Sequence, residues 1–366
     1  MVKAQTHEGC AVALAAIGRA MLRFATVASV GCKPDFDDRT ALVEGPRILA
    51  VQSTPAEAGP GAQVSLRALY ADSTGTPADP PIDWALCRER KPLTELGPIH
   101  PACFAASSPE LVPLGAGAEV VGTVFPDACR LFGPNPPEAK KGEPAGRPVD
   151  PDLTGGFYLP ARLLVVAHDR ETYATGQTRL ACDPGRVTPE QAREFRRRYR
   201  PNENPAIERL VLSRGSHEEA VAPLSAAEPP VRVGSGETVT LRVSWTPCPT
   251  ESACGDGICG AAEETATCAE DCADPHGCAG AEPYVAFDPL TLELSDRHEG
   301  IRASWYATAG TFDIGATGTT EADVNITASS NGWSAPIAPG IVHVWVVLRD
   351  DRHGVGWQSY DVEVEP

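Results

Sequence analysis

The chain has 366 residues, enough for two or three domains, and its 42% hydrophobic content supplies packed cores rather than disorder. Its net charge of −18 excludes nucleic acid as an expected partner, because phosphate binding needs clustered Lys and Arg. The 34 glycines and 35 prolines favour turn-rich β structure over helical bundles.

Residues 11–31 (AVALAAIGRAMLRFATVASVG) form an apolar, small-residue stretch ending at Cys32. Arg19 and Arg23 interrupt it, so it is too broken to cross a bilayer as a stable helix. Read as an export signal, it closes on Ser29-Val30-Gly31-Cys32, which resembles a bacterial lipobox. That resemblance implies a leader over residues 1–31, cleavage before Cys32, and lipidation of the Cys32 thiol. Ser29 stands where that family prefers an aliphatic residue.

Removing Cys10 and Cys32 with the leader leaves ten cysteines, an even number. Four fall in the first half (Cys87, Cys103, Cys129, Cys182) and six in the second (Cys248, Cys254, Cys259, Cys268, Cys272, Cys278). Two bridges and three bridges are expected, in an oxidising compartment, with the connectivity open.

Between these landmarks the chain repeats itself. Residues 61–69 (GAQVSLRAL) parallel residues 236–244 (GETVTLRVS), and both alternate apolar and polar side chains as half-buried strands do. A tryptophan strand follows each, around Trp84 and around Trp305. Residues 165–169 (VVAHD) then match 346–350 (VVLRD), with Gln177 and Gln358 standing equally far beyond. Leading strands complete the sets at residues 47–51 and 207–212. The changing offsets place an insertion after the Trp84 strand in the first copy and before the Trp305 strand in the second.

Short strands, frequent turns and a core Trp on the third strand give each copy the look of an immunoglobulin-like sandwich. The sequences from the Trp305 strand through WVVLRDDRHGVGWQSYDVEV, with the opening RILAVQSTPAEAGPGAQVSLRAL, resemble Ig-like and PKD-like modules of myxobacterial surface lipoproteins. The fold class expected is all-β. Two tandem sandwiches occupy residues 42–182 and 205–366, and the linker 183–204 carries a helix over residues 190–199 that Thr188 caps. Five arginines (Arg193, Arg196, Arg197, Arg198, Arg200) make this helix the most basic spot on the chain, read as a solvated helix paired to neighbouring acids or as a docking site for an anionic partner.

The second insertion, residues 248–282, is the most distinctive segment. Within it CGDGICGAAEETATCAEDC resembles a secreted disulfide-rich repeat that begins Cys-Gly-Asp-Gly and ends Cys-x-x-Asp-Cys. With Ile258 as its one large apolar residue it cannot order itself by burial. Asp256, Glu263, Glu264 and Asp271 are the candidate ligands for Ca²⁺, which takes six to eight oxygens on a bent backbone. A merely acidic, stapled loop is the simpler reading. A four-thiolate zinc site is the other use of its cysteines, against which export favours disulfides.

No nucleophile elbow, zincin helix or phosphate loop occurs in the sequence. The function expected is therefore that of a non-enzymatic, lipid-anchored protein of the bacterial envelope, at the outer membrane. Its role is structural or adhesive, with loops meeting a protein or polysaccharide surface. Ca²⁺-dependent binding through the acidic insert is the alternative, and a secreted hydrolase with accessory β-domains is held in reserve.

Overall fold

The computed structural model describes residues 40–91, 95–134, 152–167, 170–185, 187–248, 254, 268, 277–288 and 291–366. The fold is all-β. Its first half contains β1 (Arg47–Thr54), β2 (Glu57–Ala58), β3 (Gln63–Ala71), β4 (Ile82–Cys87), β5 (Leu111–Ala116), β6 (Glu119–Thr123), the short helix α1 (Ala128–Leu131), β7 (Tyr158–Ala167) and β8 (Arg170–Leu180). Helix α2 (Pro189–Arg198) leads to the second half. There follow β9 (Ile207–Arg214), β10 (His217–Val221), β11 (Val231–Gly234), β12 (Thr238–Trp245), β13 (Pro283–Asp288) and β14 (Glu293–His298). The chain then forms β15 (Ile301–Ala307), β16 (Thr311–Phe312), β17 (Ala316–Gly318), β18 (Ala328–Ser334), β19 (Gly340–Asp350) and β20 (Val355–Glu365).

The duplication read from sequence is visible in the sheets. The first half pairs its strands in the orders β1-β3-β6 and β2-β8-β7-β4-β5. The second repeats the pattern as β9-β12-β18 and β11-β20-β19-β15-β17, adding β10 and β16 at the edges of the first of these sheets. In both halves a short early strand pairs parallel to the last strand, β2 with β8 and β11 with β20. Each half closes its own core, with Trp84 buried in one and Trp305 in the other, as a half-buried Trp strand demands. Their indole N–H groups are satisfied, Trp84 by the Gly117 carbonyl at 2.8 Å and Trp305 by Thr317 Oγ1 at 2.9 Å.

One alignment from sequence is out of register. Leu163 opposes Trp84 and Val346 opposes Trp305, so VVAHD and VVLRD are shifted by two residues relative to the true correspondence. Gln177 pairs with Pro160 and Gln358 with Val346, so these glutamines are not equivalent. Alternating valines tolerate a shift of two because it keeps every side chain on its own face.

The halves lie side by side and share a third apolar seam. Leu49, Leu69 and Ala71 on the outer face of β1 and β3 pack on Trp345, Val347 and Val355 on the outer face of β19 and β20. The result is four sheets in a stack, with β19 covered on both faces, which is why residues 344–348 read as an unbroken apolar run. Polar ties frame the seam: Trp345 Nε1 donates to Thr76 Oγ1 at 2.8 Å, and Arg349 Nη2 to the Leu49 carbonyl at 2.7 Å. Ahead of β1, Val43 N donates to the Ala307 carbonyl at 2.8 Å and Ala307 N to that of Ala41 at 3.0 Å, pinning the incoming chain to β15.

Among the described residues four disulfides are present: Cys87–Cys103, Cys129–Cys182, Cys248–Cys278 and Cys254–Cys268. They place the fold in an oxidising, extracytoplasmic environment. The first half has the two bridges expected of it, while Cys259 and Cys272 lie outside the described residues. The insertion falls between β12 and β15, where the offsets put it, and Cys248–Cys278 closes its neck. No helix among the described residues is long and apolar enough to cross a membrane.

Candidate functional site

The chemistry of the molecule gathers where the linker, the insert's neck and the β19–β20 turn meet the first sandwich. That turn, residues 350–354 (DDRHG), is closed by Asp350 N donating to the Gly354 carbonyl at 3.2 Å and by Gly354 N donating to Asp350 Oδ1 at 2.7 Å. His353 completes the turn with a left-handed backbone, φ 74°.

Arg352 is 0% exposed. Its guanidinium donates from Nε to Glu299 Oε1 at 2.7 Å, from Nη2 to Glu282 Oε1, and from Nη1 to the Arg200 carbonyl at 2.9 Å, while lying 4.8 Å from the Tyr284 ring centroid. Glu282 and Glu299 flank the β13–β14 hairpin, so one cation holds both feet of the insert's hairpin and the end of the linker. Glu282 also accepts from Cys278 N at 2.7 Å, tying the ion cluster to the neck disulfide.

A second buried cation sits beside the first. Arg179 pairs with Glu57 at 3.3 Å and donates to Thr154 Oγ1 at 2.7 Å and Tyr158 OH at 3.1 Å. Tyr199, the residue after α2, donates to Glu57 at 2.5 Å, and Asn202 N donates to the same carboxylate at 3.1 Å. The linker is therefore locked between the sandwiches. Of the expected basic patch, Arg193, Arg196, Arg197 and Arg198 pair with Glu190, Asp183, Glu194 and Asp296. Arg200 is buried.

Burial pushes the carboxyls of Glu282, Glu299 and Asp350 above their ordinary range, with Arg352 pulling in the opposite direction. Asp350 Oδ2 and Asn202 Oδ1 are buried without a hydrogen-bond donor, an arrangement suited to a carboxyl that keeps its proton. Asp152 behaves oppositely. Burial alone would raise it, but bonds from Tyr158, Thr154 and Gly156 N, with the nearby Arg179, hold it below the usual range.

The sign of the pH effect follows. A carboxyl whose folded pKa is raised adds stability below the unfolded value, about 4.3 for Glu, and loses it as pH rises through the folded value. Asp152 adds stability lost only as pH falls below that range. His353, whose imidazole pKa burial lowers, opposes the raised carboxyls by losing stability as pH falls through its unfolded value. The three carboxyls together are expected to set a thermal midpoint higher at pH 5 than at pH 8. Differential scanning calorimetry checks this, and an equal or lower midpoint at pH 5 rules it out.

Beside the ion cluster an open cleft of about 600 Å³ lies between the two sandwiches. Ile48, Val51 and Ile99 line it on the first sandwich, and Arg302, Arg349 and His353 on the second. Burial lowers the His353 imidazole below its ordinary value, with Asp152 opposing, so the ring is neutral at pH 7. One ring nitrogen lies 2.7 Å from Gln177 Nε2.

Of the sites expected from sequence, Cys32 and the candidate Ca²⁺ ligands Asp256, Glu263, Glu264 and Asp271 lie outside the described residues. Among the described residues no group of three or more His, Cys, Asp or Glu is placed to hold a metal ion. The junction residues Arg352, Glu282, Glu299 and Asp350 were not legible as a site, because they come from three separated segments.

No protein-family model and no curated protein matches the chain. Among solved structures, a DUF4785 family protein from Legionella pneumophila aligns over 86% of this chain and 56% of its own, at 8% identity and TM-score 0.19. Native alpha-2-macroglobulin from Escherichia coli aligns over 88% and 17%, at 10% identity and TM-score 0.20. Latent PorU from Porphyromonas gingivalis aligns over 88% and 34%, at 12% identity and TM-score 0.17. The chain thus spans less than two thirds of each of these proteins, and likeness at this level assigns no function. What fold and site define is a class: a disulfide-stapled, extracytoplasmic all-β protein.

Proposed function

We propose that this chain is a non-enzymatic, lipid-anchored scaffold of the bacterial envelope, held at the membrane through Cys32, that presents its stapled insert and sandwich loops to a surface partner. The observation that carries the reading is the junction itself. An apolar seam and two buried arginines fix the sandwiches, the linker and the insert's neck as one body, as a presenting scaffold requires. Its buried carboxylates face arginines and backbone N–H groups within the protein. Seven residues stand between Cys32 and Thr40, so a lipid on Cys32 would keep Thr40 within about 28 Å of the bilayer surface.

Envelope fractionation tests the reading. The native chain is expected in the membrane fraction, with an intact mass that begins at Cys32 and carries acyl chains. Cys32→Ser is expected in the soluble extracytoplasmic fraction. Retention of Cys32→Ser on the membrane overturns the anchor.

A further inference from the structure

Arg302 on β15 and Arg349 on β19 are directly opposed across the sheet, on the face that lines the cleft. Like charges in that position repel, and a sheet normally avoids them. Elsewhere on this chain of net charge −18, arginines such as Arg88, Arg214, Arg232 and Arg297 pair with carboxylates. Here none lies within ion-pairing distance of either guanidinium among the described residues. Arg349 spends its donors on neutral oxygens, the Leu49 carbonyl at 2.7 Å and Ser304 Oγ at 3.3 Å, and Arg302 is exposed. The two acids in the cleft wall are turned to other donors. Asp350 Oδ1 accepts from Gly354 N, and Asp351 Oδ2 accepts from Gly300 N at 2.8 Å.

We propose that the cleft between the sandwiches binds an acidic sugar unit, with its carboxylate on Arg302 and Arg349. The exposed guanidinium of Arg302 offers a planar fork to a carboxylate's two oxygens, and Arg349, held by Leu49 and Ser304, adds its fixed positive charge and the N–H groups left over from those two bonds. The opposite wall is apolar (Ile48, Val51, Ile99), and between the walls Thr175, Gln177 and His353 offer hydrogen-bonding groups. A uronic acid carries the same three chemistries: an apolar C–H face, ring hydroxyls and a carboxylate. A volume of about 600 Å³ suits one or two such units. The proposal gives the scaffold reading a polysaccharide partner. It does not depend on the lipid anchor, so soluble protein tests it even if Cys32 proves unmodified.

The experiment is isothermal titration of the full disulfide-bonded chain at low salt with β-1,4-diglucuronate, neutral cellobiose and inorganic sulfate. Diglucuronate is expected to bind, with cellobiose and sulfate each at least about tenfold weaker. Arg302→Gln, at an exposed position that leaves the fold intact by circular dichroism, is expected to weaken diglucuronate at least about tenfold. Arg242→Gln, on an exposed strand face of the other sheet, is expected to leave it unchanged. Absence of diglucuronate binding, an unaltered affinity in Arg302→Gln, or an equal loss in Arg242→Gln overturns the site. Sulfate binding as tightly as diglucuronate overturns the sugar and leaves a bare anion site.

Discussion

Arg352→Ala is expected to destabilise the protein by about 3–5 kcal/mol, read from urea unfolding followed by tryptophan fluorescence. The figure is the usual cost of removing one partner of a buried ion pair, because the remaining charge stays desolvated without compensation. Here two carboxylates, Glu282 and Glu299, lose the same cation, and the Arg200 carbonyl loses its donor. The damage concerns charge more than volume. The triple variant Arg352→Met with Glu282→Gln and Glu299→Gln is expected to recover most of the loss, since well-packed neutral replacements of buried ion clusters are often near neutral in stability. A loss below about 1 kcal/mol for Arg352→Ala, on the same assay, contradicts the clamp.

Trp345→Ala is the second large effect, again about 3–5 kcal/mol for truncating a fully buried aromatic side chain. Trp345 is 1% exposed and belongs to the seam between sandwiches, with its indole N–H on Thr76. Its removal is expected both to destabilise and to split a single calorimetric transition into two, as the halves lose their main apolar contact. Trp305→Ala, inside the second core, serves as the comparison: a similar cost, with the halves still coupled through the seam. A single sharp transition in Trp345→Ala means that the polar junction alone suffices to couple them.

Much of the fold was legible because it rests on local periodicity. The alternation in residues 61–69 and 236–244 marked β3 and β12, Trp84 and Trp305 marked the core strands, and Thr188 marked the start of α2, whose Thr188–Gln191 capping box is present. The seam was not legible. The apolar run at residues 344–348 states only that β19 is covered on both faces, and the second cover lies almost 300 residues earlier in the chain. Nor was the site. Arg302 and Arg349 become neighbours only once the register opposing Trp305 to Val346 is known, and the Val-Val match misplaced an equivalent register by two residues. Glu282, Glu299 and Arg352 stand far apart in the sequence, in three separate segments. What concealed them is that a buried ion cluster leaves no periodic trace.

The pinning of Ala41 and Val43 to Ala307 sets an order of events during synthesis. The first sandwich has all its strands once β8 has emerged, but the entering segment has no seat until β15 exists. Until β19 and β20 have followed, Leu49, Leu69 and Ala71 form a bare apolar face on a folded half, the kind of surface that draws chaperones or other chains. The second half of the chain therefore acts as the cover of the first, and the segment ahead of β1 waits for β15 before it finds its place.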